Sequence, residues 1–183
     1  FRGELEVTSV LLRQDDKKRL FIHITFRRKE PIKPPVKLTM PVGIDIGFKQ
    51  LLASVALSEG KPVQGHIWRG EQIKRIKYYY GRMRDRLKRR KNRQMLEKIK
   101  HKERRKVLQE LHILANEFLK RYPQSNVIVY EDLTNIRDTV HWGREQNRKM
   151  HGLPFRKLLH IITYKAEWQG RYVISVPPKD TSR

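Results

Sequence analysis

Apolar and polar positions alternate along residues 4–29, in ELEVTSVLLRQDDKKRLFIHITFRR. That is the period of a strand. The polar break Gln14-Asp15-Asp16-Lys17-Lys18 divides it into two β-runs, so a β-hairpin is expected. KEPIKPPVK follows, with Pro31, Pro34 and Pro35. Proline fixes φ and removes amide donors, which makes residues 31–37 an extended linker and a domain boundary. From Lys37 to Leu57 the pattern reads strand, turn, strand, with the turn at Gly47-Phe48-Lys49-Gln50. A third strand, KPVQGHIW, is expected near 61–68, completing an antiparallel meander.

The period then changes to that of helices. Ile73, Ile76, Tyr80, Met83 and Leu87 are spaced 3-4-3-4, and Val107, Leu111, Leu114 and Phe118 are spaced 4-3-4. Each set forms one apolar stripe. Between them the repeat lapses over about 90–103, so residues 71–122 are expected to fold as an antiparallel helical hairpin that stops at Pro123. SNVIVYEDL reads as a short buried strand. Residues 134–151 are polar and loop-like. LPFRKLLHIITYKAEWQG is an amphipathic helix, with Phe155, Leu158, Leu159 and Ile162 on one face and Gly170 as its C-terminal stop. RYVISVPP is a last strand. The order after the linker is β-β-β-α-α-β-α-β, a mixed α/β sheet with helices packed on it.

Charge changes this picture most. The 183 residues carry 42 Lys or Arg against 19 Asp or Glu, a net charge of +23. Such an excess selects a polyanionic partner. Nucleic acid is the common case; an anionic membrane surface and a ribosomal-type structural role are rarer ones. No run approaches the length of a membrane span, and no signal-peptide pattern opens the chain. Cysteine is absent, which removes thiol nucleophiles and Cys-bound zinc within these residues and fits a cytoplasmic location. Residues 71–106 hold 17 bases and 4 acids, too few acids to pair them. A phosphate-tracking surface is expected, formed by Lys74, Arg75, Lys77, Arg82, Arg84, Arg86, Lys88, Arg89, Arg90, Lys91, Arg93, Lys98, Lys100, Lys102, Arg104 and Arg105. Such contacts give affinity without sequence choice. Within Tyr78-Tyr79-Tyr80, Tyr80 lies on the apolar stripe. Tyr78 and Tyr79 are expected to pack against the sheet rather than stack on bases.

Two acids interrupt strands that read as buried: Asp45 in PVGIDIGFKQLLASVAL and Glu131 at the end of VIVYED. An unpaired buried carboxylate is costly. Ends of neighbouring strands are where open sheets build sites. Two carboxylates there suit Mg²⁺ or Mn²⁺, and paired ions of this kind serve phosphodiester cleavage. Alternatively, Asp45 caps a turn and Glu131 pairs with an arginine. GIDIG also resembles the first phosphate motif of sugar kinases and actin-like ATPases, but no further Gly-rich phosphate loop follows. His141 and Trp142 read as a surface pair. His66, His101, His112 and His160 lack metal-ligand spacing and read as structural or exposed.

Taken in order, these blocks resemble a known family. VGIDIGFKQLLASVA resembles the first RuvC block of TnpB-type transposon-encoded proteins, and VIVYEDLTNI their second. LPFRKLLHIITYKAEWQG with VISVPPKDTSR resembles the segment after it, and a basic helical hairpin lies between the first two blocks in both. The resemblance implies an RNase H-like (RuvC) fold, a relation to type V CRISPR effectors, and RNA-guided, metal-dependent cleavage of DNA encoded by an insertion sequence. It maps the catalytic, metal-binding acids onto Asp45 and Glu131. It also implies that residues 1–30 end a preceding β domain.

The family continues beyond TS with a zinc ribbon and a third catalytic acid. Residues 1–183 hold neither, and Asp180 is a poor substitute. The expectation is an ordered middle of a longer protein, or a degenerate copy, that binds metal poorly and cuts slowly or not at all by itself. The alternative is a non-catalytic nucleic-acid-binding protein or fragment, accessory to a transposase.

Overall fold

The computed structural model describes residues 5–16, 18–28, 31–47, 49–132 and 153–177. The chain divides into two compact units, Phe1–Pro34 and Pro35–Arg183.

The first unit is a two-stranded antiparallel ribbon, β1 (Leu5–Gln14) and β2 (Leu20–Arg28). The Asp15 carboxylate closes its turn, accepting from the Arg19 backbone N–H at 2.9 Å and side chain at 2.8 Å. Every residue of β1 is exposed, including Val10, Leu11 and Leu12. Two strands have no interior, so alternation here gathers Val7, Val10, Leu12, Ile22, Ile24 and Phe26 on one face that stays exposed, without a core.

The second unit is built on a five-stranded mixed sheet of order β5-β4-β3-β6-β7. β3 (Val42–Asp45), β4 (Leu52–Ser58) and β5 (Lys61–Trp68) form the antiparallel meander. Glu59 and Gly60 both have positive φ between β4 and β5, the tight two-residue turn whose twist suits a hairpin. Helices α1 (Glu71–Arg89) and α2 (Arg93–Arg121) follow. Then β6 (Val127–Glu131) runs parallel to β3, and α3 (Phe155–Trp168) leads to β7 (Tyr172–Val176), parallel to β6.

Period-2 patterning places the core. Val42, Ile44, Ile46, Leu52 and Ala56 are buried with Leu111, Leu114, Phe118 and Leu119 of α2 and Leu158, Ile161 and Ile162 of α3. The opposite face keeps Gly43, Asp45, Val55, Ile67 and Ile174 exposed. Two polar devices lock the covered side. Ser54 Oγ and the Tyr122 hydroxyl, both buried, lie 2.7 Å apart. Arg171, also buried, donates to the carbonyls of Tyr122 (2.8 Å) and Leu119 (3.1 Å), satisfying the end of α2. Among the described residues no helix is long and apolar enough to cross a membrane.

Candidate functional site: a carboxylate pair beside a basic hairpin

β3 and β6 are parallel neighbours in register Val42–Ile128, Gly43–Val129 and Ile44–Tyr130. One residue beyond the last of these pairs stand Asp45 on β3 and Glu131 on β6, each the final residue of its strand. Lateral neighbours in a sheet share a face, so the two acids occupy adjacent positions on one face, at the carboxyl ends of adjacent strands. Glu131 is in turn level with Val176 of β7, and the Asp132 N–H donates to the Val176 carbonyl at 2.7 Å. Three strand ends therefore converge here.

The expectation that Asp45 is a buried carboxylate is wrong. Asp45 is exposed and Glu131 is partly buried. Ile44 and Ile46 point into the core, and the pleat turns Asp45 the other way. Among the described residues no group of three or more His, Cys, Asp or Glu could hold a metal. The pair supplies oxygen donors of the kind Mg²⁺ or Mn²⁺ accepts, and a hydrated ion tolerates few protein ligands. The residues present thus fit part of such a site.

The turn after β3 is tied to the helical hairpin. The Gly47 N–H donates to the Gln50 carbonyl at 3.0 Å, and the Lys74 ammonium of α1 donates to the Lys49 carbonyl at 2.8 Å. A base expected on the phosphate surface thereby braces the loop that leaves Asp45.

The hairpin is built around a stripe that includes one acid. Ile99, Glu103, Val107, Leu111, Leu114 and Phe118 are all buried on α2. Facing them on α1 are buried Ile73 and Tyr80, with Ile76, Met83 and Leu87 partly buried. Lys77 Nζ lies 3.2 Å from Glu103 Oε1, in ion-pair range without hydrogen-bond geometry, and Arg84 donates to Oε2. Burial, with the nearby Arg84 charge second, lowers the Lys77 pKa. Lys77 and Arg84 are thus engaged with Glu103 between the helices. Spacing singled out no role for Glu103, although its place in the register Ile99-Glu103-Val107 is the signal that it points inward.

The other bases are exposed: Arg75, Arg82, Arg86, Lys88, Arg89, Arg90, Lys91, Arg93, Lys98, Lys100, Lys102, Arg104 and Arg105. Arg86, Lys88, Arg89, Arg90, Lys91 and Arg93 cluster at a tight turn. Lys91 has φ 51°, the Asn92 N–H donates to the Leu87 carbonyl at 3.1 Å, and Asn92 Oδ1 caps α2 by accepting from the Met95 N–H at 3.0 Å. Two local carboxylates face bases at 3.8 Å (Glu71–Arg75) and 3.5 Å (Glu97–Lys100), both on the exposed surface.

Tyr80 is in the core, but Tyr78 and Tyr79 are 67% and 59% exposed. The expectation that they pack on the sheet fails because the helical period turns both rings away from the stripe. The Arg82 guanidinium lies 5.8 Å from the Tyr78 ring centre. His66 contacts Trp68 edge-on, and His112 and His160 flank Tyr164. His141, Trp142 and Asp180 lie outside the described residues.

Comparison with known proteins bears on this geometry. No family model matches the chain. A TnpB-like protein of Methanocaldococcus jannaschii is 28% identical over 189 aligned positions, covering 99% of this chain and 65% of the relative. The chain resembles TnpB-type proteins along its whole length. Two solved structures share its fold, each with a TM-score of 0.62. One, described as a Cas12f1-sgRNA-target DNA complex, is 15% identical and matches 98% of this chain. The other, a CRISPR-Cas12f ternary complex, is 14% identical and matches 94%. The chain spans 65% of the TnpB-like relative's length, and 52% and 35% of the two Cas12f chains.

Proposed function

We propose that the chain is the RuvC, RNase H-like nuclease core of a TnpB-type protein which, when complete, cleaves DNA under RNA guidance in a metal-dependent reaction. One observation carries the reading: the register that sets Asp45 beside Glu131 at the carboxyl ends of β3 and β6. The strand order, with β6 and β7 added parallel to β3 beyond the meander, supports the RNase H-like assignment. The guide RNA and target DNA in the Cas12f1 complex support RNA and DNA as partners.

In this reading Asp45 and Glu131 hold a divalent ion, Mg²⁺ or Mn²⁺, which supplies Lewis-acid stabilisation of the phosphodiester oxygens. The exposed bases of α1 and α2 hold the backbone of the guide–target duplex, and Lys74 keeps the β3–β4 turn against α1. In the full-length protein with Mg²⁺, Asp45→Ala and Glu131→Gln each abolish DNA cutting, while oligonucleotide binding stays within a few fold of wild type. Normal cutting by Asp45→Ala refutes the assignment.

A second reading, a module that binds nucleic acid without cutting it, is favoured by the exposed bases of α1 and α2, which hold a phosphate backbone without a metal. Calorimetric titration of the full-length protein with Mn²⁺ separates the two, since only the nuclease takes up the ion.

A further inference from the structure

We propose that a groove beside the edge strand β5 docks a basic amphipathic helix of a partner protein. The groove, about 350 Å³, lies between the end of β5, the first turn of α1 and the middle of α2. Trp68 and Ile113 line it with Leu114 beneath them; Ile113 is 42% exposed and Leu114 only 6%, while Ile67 contributes its backbone and turns its side chain to the other face of the sheet. Three carboxylates, Glu71, Glu110 and Glu117, line it against one base, Arg69.

That balance is the reverse of the chain as a whole, in which bases outnumber acids by more than two to one. Glu71 has a distant partner in Arg75. Glu110 and Glu117 have no ion-pair or hydrogen-bond partner among the described residues. Carboxylates beside apolar side chains repel phosphate and attract a cation that brings its own apolar surface.

Spacing selects the shape of the occupant. Glu110, Ile113, Leu114 and Glu117 stand at i, i+3, i+4 and i+7, one face of α2. The carboxylates are thus two turns apart, about 10 Å along the axis, with the apolar pair midway. A helix carrying Arg or Lys at i and i+7 and leucine at i+3 and i+4 presents the complement. An extended strand, at about 3.3 Å per residue with alternate side chains facing away, misses that spacing. The docking face is independent of whether the protein cuts DNA.

The probe is a labelled 15-residue peptide, capped at both ends, with two Arg seven residues apart, Leu at the two positions between them on the same face, and Ala and Gln elsewhere. One control carries Glu for both Arg; another has the same composition with the Arg five apart. Fluorescence anisotropy with the full-length protein at about 0.15 M salt, where long-range repulsion is largely screened, is expected to show binding of the first peptide alone. The double variant Glu110→Gln/Glu117→Gln weakens it roughly fivefold or more, Ile113→Ser weakens it similarly, and oligonucleotide binding is unchanged by either. No binding of the first peptide, equal binding of the shifted control, or an undiminished double variant overturns the proposal. So does a double variant that binds oligonucleotide several-fold more tightly, which would place nucleic acid at the groove.

Discussion

Gly70 joins β5 to α1 at φ 65°, and a Cβ there would lie 2.5 Å from Leu51 Cδ2 and 2.8 Å from Leu51 Cβ. Leu51 is completely buried, so it has no room to yield. Gly70→Ala combines a left-handed backbone with overpacking and is expected to cost about 2–4 kcal/mol, read as a lower urea midpoint with an unchanged slope. His112 gives a second handle at this scale. Burial, then the charges of Lys165 and Lys157, lower its pKa, while Tyr164, whose own pKa burial raises, lies with its hydroxyl 3.4 Å from Nδ1. A His with a lowered pKa favours the neutral ring in the folded state. Its contribution is intact above the unfolded value of about 6.5 and is lost as pH falls through the lower folded value. Thermal melts between pH 7.5 and 4.5 are expected to decline less steeply in His112→Gln than in wild type.

At the scale of elements, the hairpin of α1 and α2 depends on an acid inside an apolar stripe. Lys77 and Arg84 are each about one-third exposed at the side chain, while Glu103 is 7% exposed. Removing the acid strands two cations against the stripe. Glu103→Ala is therefore expected to destabilise by about 2 kcal/mol, below the range for a fully buried pair because water still reaches its partners. Glu103→Gln keeps a hydrogen-bond acceptor and is expected to lose less. Urea titration of both variants orders them; equal losses would mean that the charge, which both variants remove, and not the packing of the side chain, holds the helices. The end of α2 is secured differently, by Arg171 reaching back from the loop after α3 to carbonyls that helix geometry leaves open.

For the whole molecule, affinity for nucleic acid is expected to fall with salt, because the exposed hairpin bases release condensed counterions. Changing Arg89, Arg90 and Lys91 together to Gln should reduce the log–log salt slope by about 0.9 per lost phosphate contact on duplex DNA, measured by oligonucleotide titration at several salt concentrations. A change in affinity with no change in slope would show that this turn does not touch the backbone.

The two helices with their stripes and the meander were legible from residues 42–122 because hydrophobic period reports directly which side of an element is covered. The position of Asp45 was only half legible. Alternation between Ile44 and Ile46 places it opposite the core, but a single strand does not say whether its second face is covered. The same limit applied to Tyr78 and Tyr79, whose bulk suggested packing until the position of the sheet was known.

By itself the sequence determined the elements, the boundary at the prolines, the concentration of bases on one hairpin and the two acids worth watching. These are local properties, fixed by period, turn chemistry and composition. Tertiary structure alone decided that β6 adds parallel to β3 in the register that sets Glu131 beside Asp45, that Lys74 braces the intervening turn, and that Lys77 and Arg84 close on Glu103 while their neighbours face solvent. Those facts join residues tens of positions apart, and strand pairing and helix packing are settled by complementarity between whole surfaces, which no single stretch of chain contains.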